Sequence, residues 1–118
     1  MDDGQLALLV DRFYAKVRQD AELGPIFNET ITDWDRHLKL LHDFWSSVML
    51  TSGRYKGNPM AAHLRHREQL SPALFAHWLV LWEEIAREVL SPGDAAAIHA
   101  TASRIARSLQ LGIQYIAA

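Results

Sequence analysis

Two histidines, His63 and His66, stand three residues apart in the stretch YKGNPMAAHLRHR, residues 55–67, after a loop marked by glycine and proline. On one helix this spacing puts both rings on the same side, where imidazole nitrogens can coordinate a metal ion. A zinc site needs one or two further ligands, and the sequence has no cysteine and no HExxH motif. The pair therefore indicates a cofactor ligand only if residues elsewhere build a pocket around it.

Three other side chains with polar tips, Tyr14, His37 and Trp78, stand at inward positions of three different predicted helices. A single inward histidine or aromatic residue is usually part of an ordinary core, so none of them indicates a function alone. Together they would place three polar groups in an apolar cleft, which is the usual composition of a small-ligand pocket. The residues alone leave both interpretations open.

The sequence offers little support for other catalytic arrangements. Ser46 and Ser47 lack the spacing to a histidine and an acid that would indicate a hydrolase. Glu83 and Glu84 are adjacent, so at most one faces inward, which argues against a di-iron carboxylate site. There is no glycine-rich phosphate loop.

The composition is that of an ordinary globular protein. The chain has 118 residues, 49% of them hydrophobic and 22% charged, which predicts a single domain over residues 1–118. The net charge of -2 argues against a nucleic-acid partner, and no apolar run approaches the ~20 residues that cross a bilayer. The first residues do not resemble a signal peptide. We therefore expect a soluble, cytoplasmic protein.

Apolar residues recur at three- and four-residue steps, which predicts four long helices and one short helix. The predicted helices cover about residues 3–20, 33–49, 59–67, 72–89 and the chain from 92 onward. Helix starts are indicated by Asp2 or Asp3, Thr32 or Asp33, Pro59, Ser71-Pro72 and Ser91-Pro92. Gly24-Pro25 is predicted to break the pattern, which leaves Ile26 and Phe27 as an apolar plug in a connection.

The same periodicity predicts which residues of two helices face inward. In the second long helix they are Trp34, His37, Leu38, Leu41, Phe44, Trp45 and Val48, and in the last helix Ile98, Ile105, Leu109, Ile113 and Ile116. This pattern alone would suit a helical bundle without a cofactor.

Taken together, these residues resemble the group III truncated haemoglobins over about residues 6–90. The resemblance rests on four motifs in order: Phe13-Tyr14-x-x-Val17-Arg18 with Leu23-Gly24-Pro25-Ile26-Phe27, Trp34-x-x-His37 with Phe44-Trp45, Tyr55-x-Gly57-x-Pro59-x-x-x-His63-Leu64, and Trp78-Leu79-x-Leu81. Each motif alone is weak evidence for this family, but four motifs in order, at matching spacings, are specific to it. The final helix matches only in its apolar period.

The resemblance implies an all-α, compact truncated globin fold, in which two antiparallel helix pairs enclose haem b and its iron. It assigns His63 as the axial iron ligand and places Tyr14, His37 and Trp78 in the distal ligand pocket. It also implies that Phe27 packs on the porphyrin, and that Leu41 and Phe44 cover its distal face.

The residues that follow His63 in the sequence allow other assignments of the iron ligand and of the propionate contacts. His66 is a rival ligand one turn further on, although the spacing of Pro59 and His63 favours His63. Arg65 and Arg67 could pair with the haem propionates, because guanidinium groups match carboxylate geometry. They could equally be an ordinary solvated surface.

The implied function is binding of O₂, CO or NO at a pentacoordinate haem iron. Tyr14 and Trp78 would donate hydrogen bonds to the ligand, which predicts tight O₂ binding. His37 could be a third donor, a proton source or a gate, since imidazole titrates near pH 6.5.

Two functional classes follow, with a third as the simplest alternative. The protein could be a redox enzyme that converts NO with O₂ to nitrate or reduces peroxide, in which case a separate reductase must supply electrons. It could instead be a ligand sensor or scavenger without turnover. A haem-free helical interaction domain is the third hypothesis. If haem is bound, residues 53–67 should be the least ordered stretch without it.

Overall fold

Helices make up most of the chain in the computed structural model, which describes residues 1–117 and the side chains as far as Tyr115. The helices are α1 (Asp3–Gln19), α2 (Leu23–Thr30), α3 (Trp34–Leu50), α4 (Pro59–Leu64), α5 (Pro72–Val89) and α6 (Pro92–Ala117), with a 3₁₀ turn at Arg67–Gln69. Residues 1–117 contain no strand, so the all-α prediction is confirmed. The side chain of Ile116, predicted to face inward, lies outside the described residues.

Helix starts coincide with the predicted capping residues. The Asp2 carboxylate accepts a hydrogen bond from the Gln5 backbone N–H at 2.8 Å, and the Gln5 side chain accepts from the Asp2 backbone N–H. Asp33 caps α3 and Ser71 caps α5 in the same way. Each cap satisfies a backbone N–H that the first turn leaves without an intrahelical partner.

A two-turn helix, α2, replaces the predicted connection after Gly24-Pro25, so that prediction was wrong. Proline is compatible with the first turn of a helix, because the N–H groups there have no intrahelical acceptor. Gly24 is buried where α2 packs against α1, and a Cβ at this position would lie 2.8 Å from the Arg18 carbonyl oxygen. The glycine therefore permits close packing of the two helices and does not end one.

Helix α4 ends at Leu64, three residues earlier than predicted. Arg65 and His66 form a turn, and the 3₁₀ turn follows at Arg67. Arg67 donates from its guanidinium to the Leu64 carbonyl oxygen at 3.0 Å, which satisfies one of the acceptors that a helix end leaves free. The residues of this turn, Arg65-His66-Arg67, include no glycine or proline that would have indicated the earlier end.

Helix α1 lies at the centre of the packing. It packs against α2, α3 and α5, while α6 packs against α5 and α4. Its apolar face contributes a large share of the buried core, whose most completely buried side chains include Leu6, Leu9, Val10, Phe13, Val17, Trp82 and Ile98. Within residues 1–117 no helix is long and apolar enough to span a membrane.

Helix α3 is the exception to this close packing. Of its predicted inward stripe only Trp45 is buried, together with the neighbouring Ser46. Leu38, Leu41 and Phe44 are half-buried. Val48 is 37% exposed, so its prediction as an inward residue was wrong. The backbone of α3 approaches α1 closely but approaches α4 and α5 little, so these half-buried apolar side chains keep part of their surface uncovered.

Asp20 joins three elements after the end of α1. One carboxylate oxygen accepts the backbone N–H groups of Glu22 and Leu23, both at 2.9 Å, and the other accepts from His77 Nε2 of α5 at 2.8 Å. The Leu23 N–H contributes most to holding the pKa of Asp20 below its ordinary 3.8. Asp20 therefore stabilises the fold above pH 3.8, and this contribution is lost as the pH falls through the lowered pKa.

We expect Asp20→Ala to lower the free energy of unfolding by about 1–2 kcal/mol at neutral pH, because it removes a cap and a charged hydrogen bond. Asp20→Asn should lose less, since the amide oxygen can still cap α2. Urea denaturation at pH 7 and pH 3 would measure both, with the exposed Glu88→Gln as a control. A difference that does not shrink at low pH would contradict the role of the ionised carboxylate.

Candidate functional site

His63 projects from a short helix whose start is fixed locally. Asn58 caps α4 by accepting the Ala61 N–H at 3.1 Å, and Pro59 occupies the first helical position. The Nδ1 atom of His63 lies 2.7 Å from the Pro59 carbonyl oxygen. Because a carbonyl can only accept, Nδ1 carries the proton and Nε2 of the neutral ring keeps a free lone pair. This is the tautomer that a metal ligand needs.

The surroundings of His63 are apolar and half-buried. Its ring lies nearly parallel to Phe75 of α5, with ring centroids 6.4 Å apart. Phe75 precedes Trp78 by three residues on α5, so the two rings share one side of that helix. His63 therefore belongs to the same part of the molecule as Trp78.

His66 occupies a different environment. It lies in the turn after α4, and its side chain lines a surface cavity of about 290 Å³ with Arg65, Arg67, Glu68 and Gln69. The two histidines are therefore not neighbours on one helical face, as the predicted longer helix required. Arg65 and Arg67 are exposed, and neither forms an ion pair with a described residue.

No three histidine, aspartate or glutamate side chains of the described residues could together hold a metal ion. A metal at His63 would therefore take most of its ligands from a molecule other than this chain. A planar tetradentate ligand with one protein histidine would meet that requirement.

The loop before α4 is tied to α1 and α3. The Arg54 guanidinium lies 2.7 Å from an Asp3 carboxylate oxygen, and its Nε lies 3.3 Å from Asp43. The Ser47 hydroxyl accepts the backbone N–H of Tyr55 at 2.9 Å. These contacts connect the segment that carries His63 to helix α3.

The Tyr55 ring joins this loop to α3, where it packs against the half-buried apolar face of the helix. Its centroid lies 5.1 Å from that of Phe44, in an edge-to-face arrangement. The same ring covers Gly57, where a Cβ would collide with the phenol. In this position the ring packs directly on Gly57, and a side chain there would require the Tyr55 ring to move.

Four side chains from three helices form what we call the Tyr14 cluster: Tyr14, Trp34, His37 and Trp78. The Tyr14 ring centroid lies 6.2 Å from Trp34 and 6.3 Å from His37. The Trp78 indole lies beside the Tyr14 hydroxyl. The structure therefore brings together the three side chains predicted for a ligand pocket and adds Trp34, which its spacing of three residues from His37 could have indicated.

Burial determines the protonation of two members of this cluster. It raises the pKa of Tyr14 far above the ordinary 10.0, and the neighbouring Trp78 indole opposes this only in part. Burial also lowers the pKa of His37 below 6.5. At neutral pH the cluster therefore presents a phenol O–H and a neutral imidazole.

The three residues predicted to provide apolar contacts lie on α2 and α3. The Phe27 ring on α2 lies 5.8 Å from the Tyr14 ring. Leu41 and Phe44 stand on α3 and are half-buried while packed against the core. All three are half-buried, so each keeps part of its apolar surface uncovered.

A second aromatic group, the tryptophan stack, consists of Trp45, Trp82 and Trp78. The ring centroids of Trp45 and Trp82 are 4.6 Å apart, and those of Trp82 and Trp78 are 5.2 Å apart with only 12° between the planes. Trp82 is fully buried, and its indole N–H has no acceptor among the residues that the structure describes. Four-residue spacing on α5 could have indicated the pairing of Trp78 with Trp82, but not that with Trp45.

Comparisons with known proteins agree with this arrangement. The group 3 truncated hemoglobin ctb of Campylobacter jejuni is 40% identical over an alignment 86 residues long, which covers 67% of this chain and 65% of that relative. The match thus spans just under two thirds of the relative's length. A crystal structure of group III truncated hemoglobin from Campylobacter jejuni matches with a TM-score of 0.85 and 34% identity, covering 96% of this chain and 91% of that one. No family model matches the chain.

Proposed function

The chain belongs to the group III truncated haemoglobins, and on this premise we propose that it holds haem b in the cleft beside α3 and binds diatomic ligands there. The proposal is carried by His63, whose Nδ1 donates to the Pro59 carbonyl at 2.7 Å and leaves Nε2 free. Haem bound there would supply a pentacoordinate iron that takes up O₂, NO or CO.

The residues present fit such a cofactor. His63 supplies one nitrogen ligand, and described residues offer no cluster that would bind iron without a porphyrin. The half-covered Leu41 and Phe44 on α3, with Phe27 on α2, would bury their remaining apolar surface against a flat ring. Arg65 or Arg67 would reach the propionates. In this proposal the packed pairs α1–α3 and α5–α6 are antiparallel and enclose the ring.

Tyr14, Trp78 and His37 act on the ligand from the other side. The phenol of Tyr14 stays protonated because burial raises its pKa, so it donates a hydrogen bond into the cleft at any pH near neutral. The Trp78 indole N–H is a donor that does not titrate. His37 stays neutral near pH 7 because burial lowers its pKa, and it lines the pocket as donor, proton source or gate.

We propose redox chemistry on NO or peroxide as the reaction, since two strong donors retain a ligand and disfavour rapid delivery. NO and O₂ with one electron give nitrate, and that electron must come from a separate reductase. The alternative is a sensor or scavenger without turnover. Reduction of the ferric protein by a cellular reductase fast enough to sustain NO consumption favours the enzyme, and its absence would rule the enzyme out.

The absorption spectrum of the purified protein tests haem binding directly. We expect a Soret band, a five-coordinate spectrum after reduction, and a shift of the band when CO is added. A protein without a Soret band after expression with excess haem would be a haem-free helical domain. A six-coordinate reduced spectrum without added ligand would contradict the proposed pentacoordinate iron.

A further inference from the structure

The α3–α4 loop, residues 51–58, connects α3 with the short helix that carries His63. Helix α4 runs only from Pro59 to Leu64, and none of its residues is fully buried. Among the described helices, α6 is the one whose backbone α4 approaches closely. A helix this short is not stable by itself in water, because it closes few hydrogen bonds for the residues that it orders. The position of His63 therefore depends on the contacts of the α3–α4 loop as well as on α6.

Two residues of the α3–α4 loop have left-handed backbone conformations. Thr51 has φ 57° and ψ 33°, and Gly53 has φ 72°. Glycine adopts such angles at little cost, but a β-branched residue adopts them only against steric strain. A strained conformation of this kind persists where surrounding contacts hold the chain in place. The loop therefore needs tethers that compensate the strain at Thr51.

One tether is the side chain of Arg54, which contacts two helices. Its two terminal nitrogens lie 2.7 Å and 3.4 Å from the two carboxylate oxygens of Asp3, in the first turn of α1. Its Nε lies 3.3 Å from the carboxylate of Asp43 on α3. A planar guanidinium matches the two oxygens of one carboxylate, so the Asp3 contact fixes direction as well as distance. We call Arg54, Asp3 and Asp43 the Arg54 clasp.

The next residue of the loop is tethered to the same side of α3. The Ser47 hydroxyl donates to the Asp43 carbonyl oxygen at 2.7 Å and accepts the Tyr55 backbone N–H at 2.9 Å. Asp43 and Ser47 are four residues apart, so they lie one turn apart on one side of the helix. Two consecutive loop residues, Arg54 and Tyr55, are thus fixed to α3 shortly before the chain enters α4.

We propose that Arg54 is a positioning residue for the iron ligand: the Arg54 clasp holds the α3–α4 loop in its strained path and thereby keeps α4 and the Nε2 atom of His63 in place. This inference rests on the proposed haem function, and it adds a determinant of how long the cofactor is retained. Without the clasp, the strain at Thr51 would relax and α4 would shift. The bond between His63 and the iron would then be weaker, and haem would leave faster.

The experiment measures two properties of haem-loaded variants. The first is the rate of haem transfer to a high-affinity acceptor protein, and the second is the iron–histidine stretching vibration of the reduced form in the resonance Raman spectrum. We expect Arg54→Ala to release haem roughly fivefold faster, the upper range for loss of exposed ion pairs, and to shift the vibration. Arg54→Lys should be intermediate, because lysine keeps the charge but not the two-pronged contact with Asp3.

Arg87→Ala is the matched control for the arginine. It also removes an exposed guanidinium from an ion pair, since Arg87 donates to Glu83 at 2.6 Å, but this pair lies within α5. Arg87→Ala should therefore change neither the release rate nor the vibration. An equal increase in haem release in both alanine variants would contradict a specific role of Arg54.

Asp3→Asn tests the partner of Arg54. It should speed haem release in the unmodified protein and add nothing in the Arg54→Ala background, where the interaction is already lost. Asp11→Asn is its control, because Asp11 also joins α1 to α3, through His42 Nε2 at 2.9 Å, but does not contact the α3–α4 loop. Should Arg54→Ala fail to fold, the two asparagine variants still decide the matter, and equal haem release in both would contradict the clasp.

The Soret band of each sample separates failure of this inference from failure of the proposed function. An unmodified protein without a Soret band would overturn the proposed function, and the role of Arg54 with it. A normal Soret band in Arg54→Ala, together with an unchanged release rate or an unshifted vibration, would overturn the positioning role alone.

Discussion

Replacement of His63 by alanine is expected to abolish stable haem binding, with no Soret band in the purified variant. The loss should exceed roughly 100-fold in haem affinity, because removal of even an outer-shell partner of a metal ligand typically costs 10–100-fold. The physical reason is that described residues offer no second group of metal ligands near the cleft. Titration with haem, followed by transfer of the bound haem to a high-affinity acceptor protein, would measure the loss.

His66→Ala is the matched control, since it removes the other imidazole of the same segment. It should keep its Soret band, because His66 lies in the turn beyond α4 and lines a surface cavity. Added imidazole should restore the spectrum of a His63→Gly variant, which separates loss of the ligand from misfolding. Normal haem in His63→Ala combined with haem loss in His66→Ala would reverse the assignment.

Removal of the buried hydroxyl in Tyr14→Phe is expected to increase the O₂ dissociation rate roughly fivefold, the value of one net hydrogen bond of about 1 kcal/mol. Trp78→Phe should have a similar effect. If the two donors act independently, the double variant should release O₂ roughly thirtyfold faster, and a smaller combined effect would measure their coupling. Stopped-flow displacement of O₂ by CO provides the rates.

The Tyr14 effect should not depend on pH below 10. Burial raises the pKa of this phenol above its ordinary 10.0, so the donor stays protonated over that whole range. Tyr55→Phe is the control, since it removes a hydroxyl from the loop before α4 and should leave O₂ release unchanged. Unchanged rates in both Tyr14→Phe and Trp78→Phe would refute the account of the pocket.

Local chemistry made much of the helical framework predictable. Ser71-Pro72 marks the start of α5, and the helix ends at Val89 as its apolar period indicates. Gly24-Pro25 misled the prediction because the same dipeptide suits both a break and the first turn of a helix. The correct interpretation depends on Asp20, whose side chain accepts the N–H of Leu23 and holds the start of α2. The residue types in this stretch do not by themselves reveal that hydrogen bond.

The candidate site was predictable to the extent that residue spacing along a helix determines which way each side chain points. His37 and Trp78 meet Tyr14 because each lies on the apolar side of its own helix. The separation of His63 from His66 was not predictable, since it depends on where α4 ends. The contact between Arg54 and Asp3 spans the distance from the α4 loop back to the start of the chain, and such pairings follow only from the tertiary fold.

The central position of α1 has a consequence for how the protein is made. The ribosome completes α1 at Gln19, yet α5, which helps to enclose it, begins only at Pro72. Phe13 has no access to the Trp78 and Trp82 rings, which lie 4.9 Å and 4.8 Å from it in the fold, until most of the chain has been synthesised. Such distant contacts delay folding. The core of the nascent chain would thus form late. A fragment that stops before α5 would have helices whose apolar faces stay exposed to solvent.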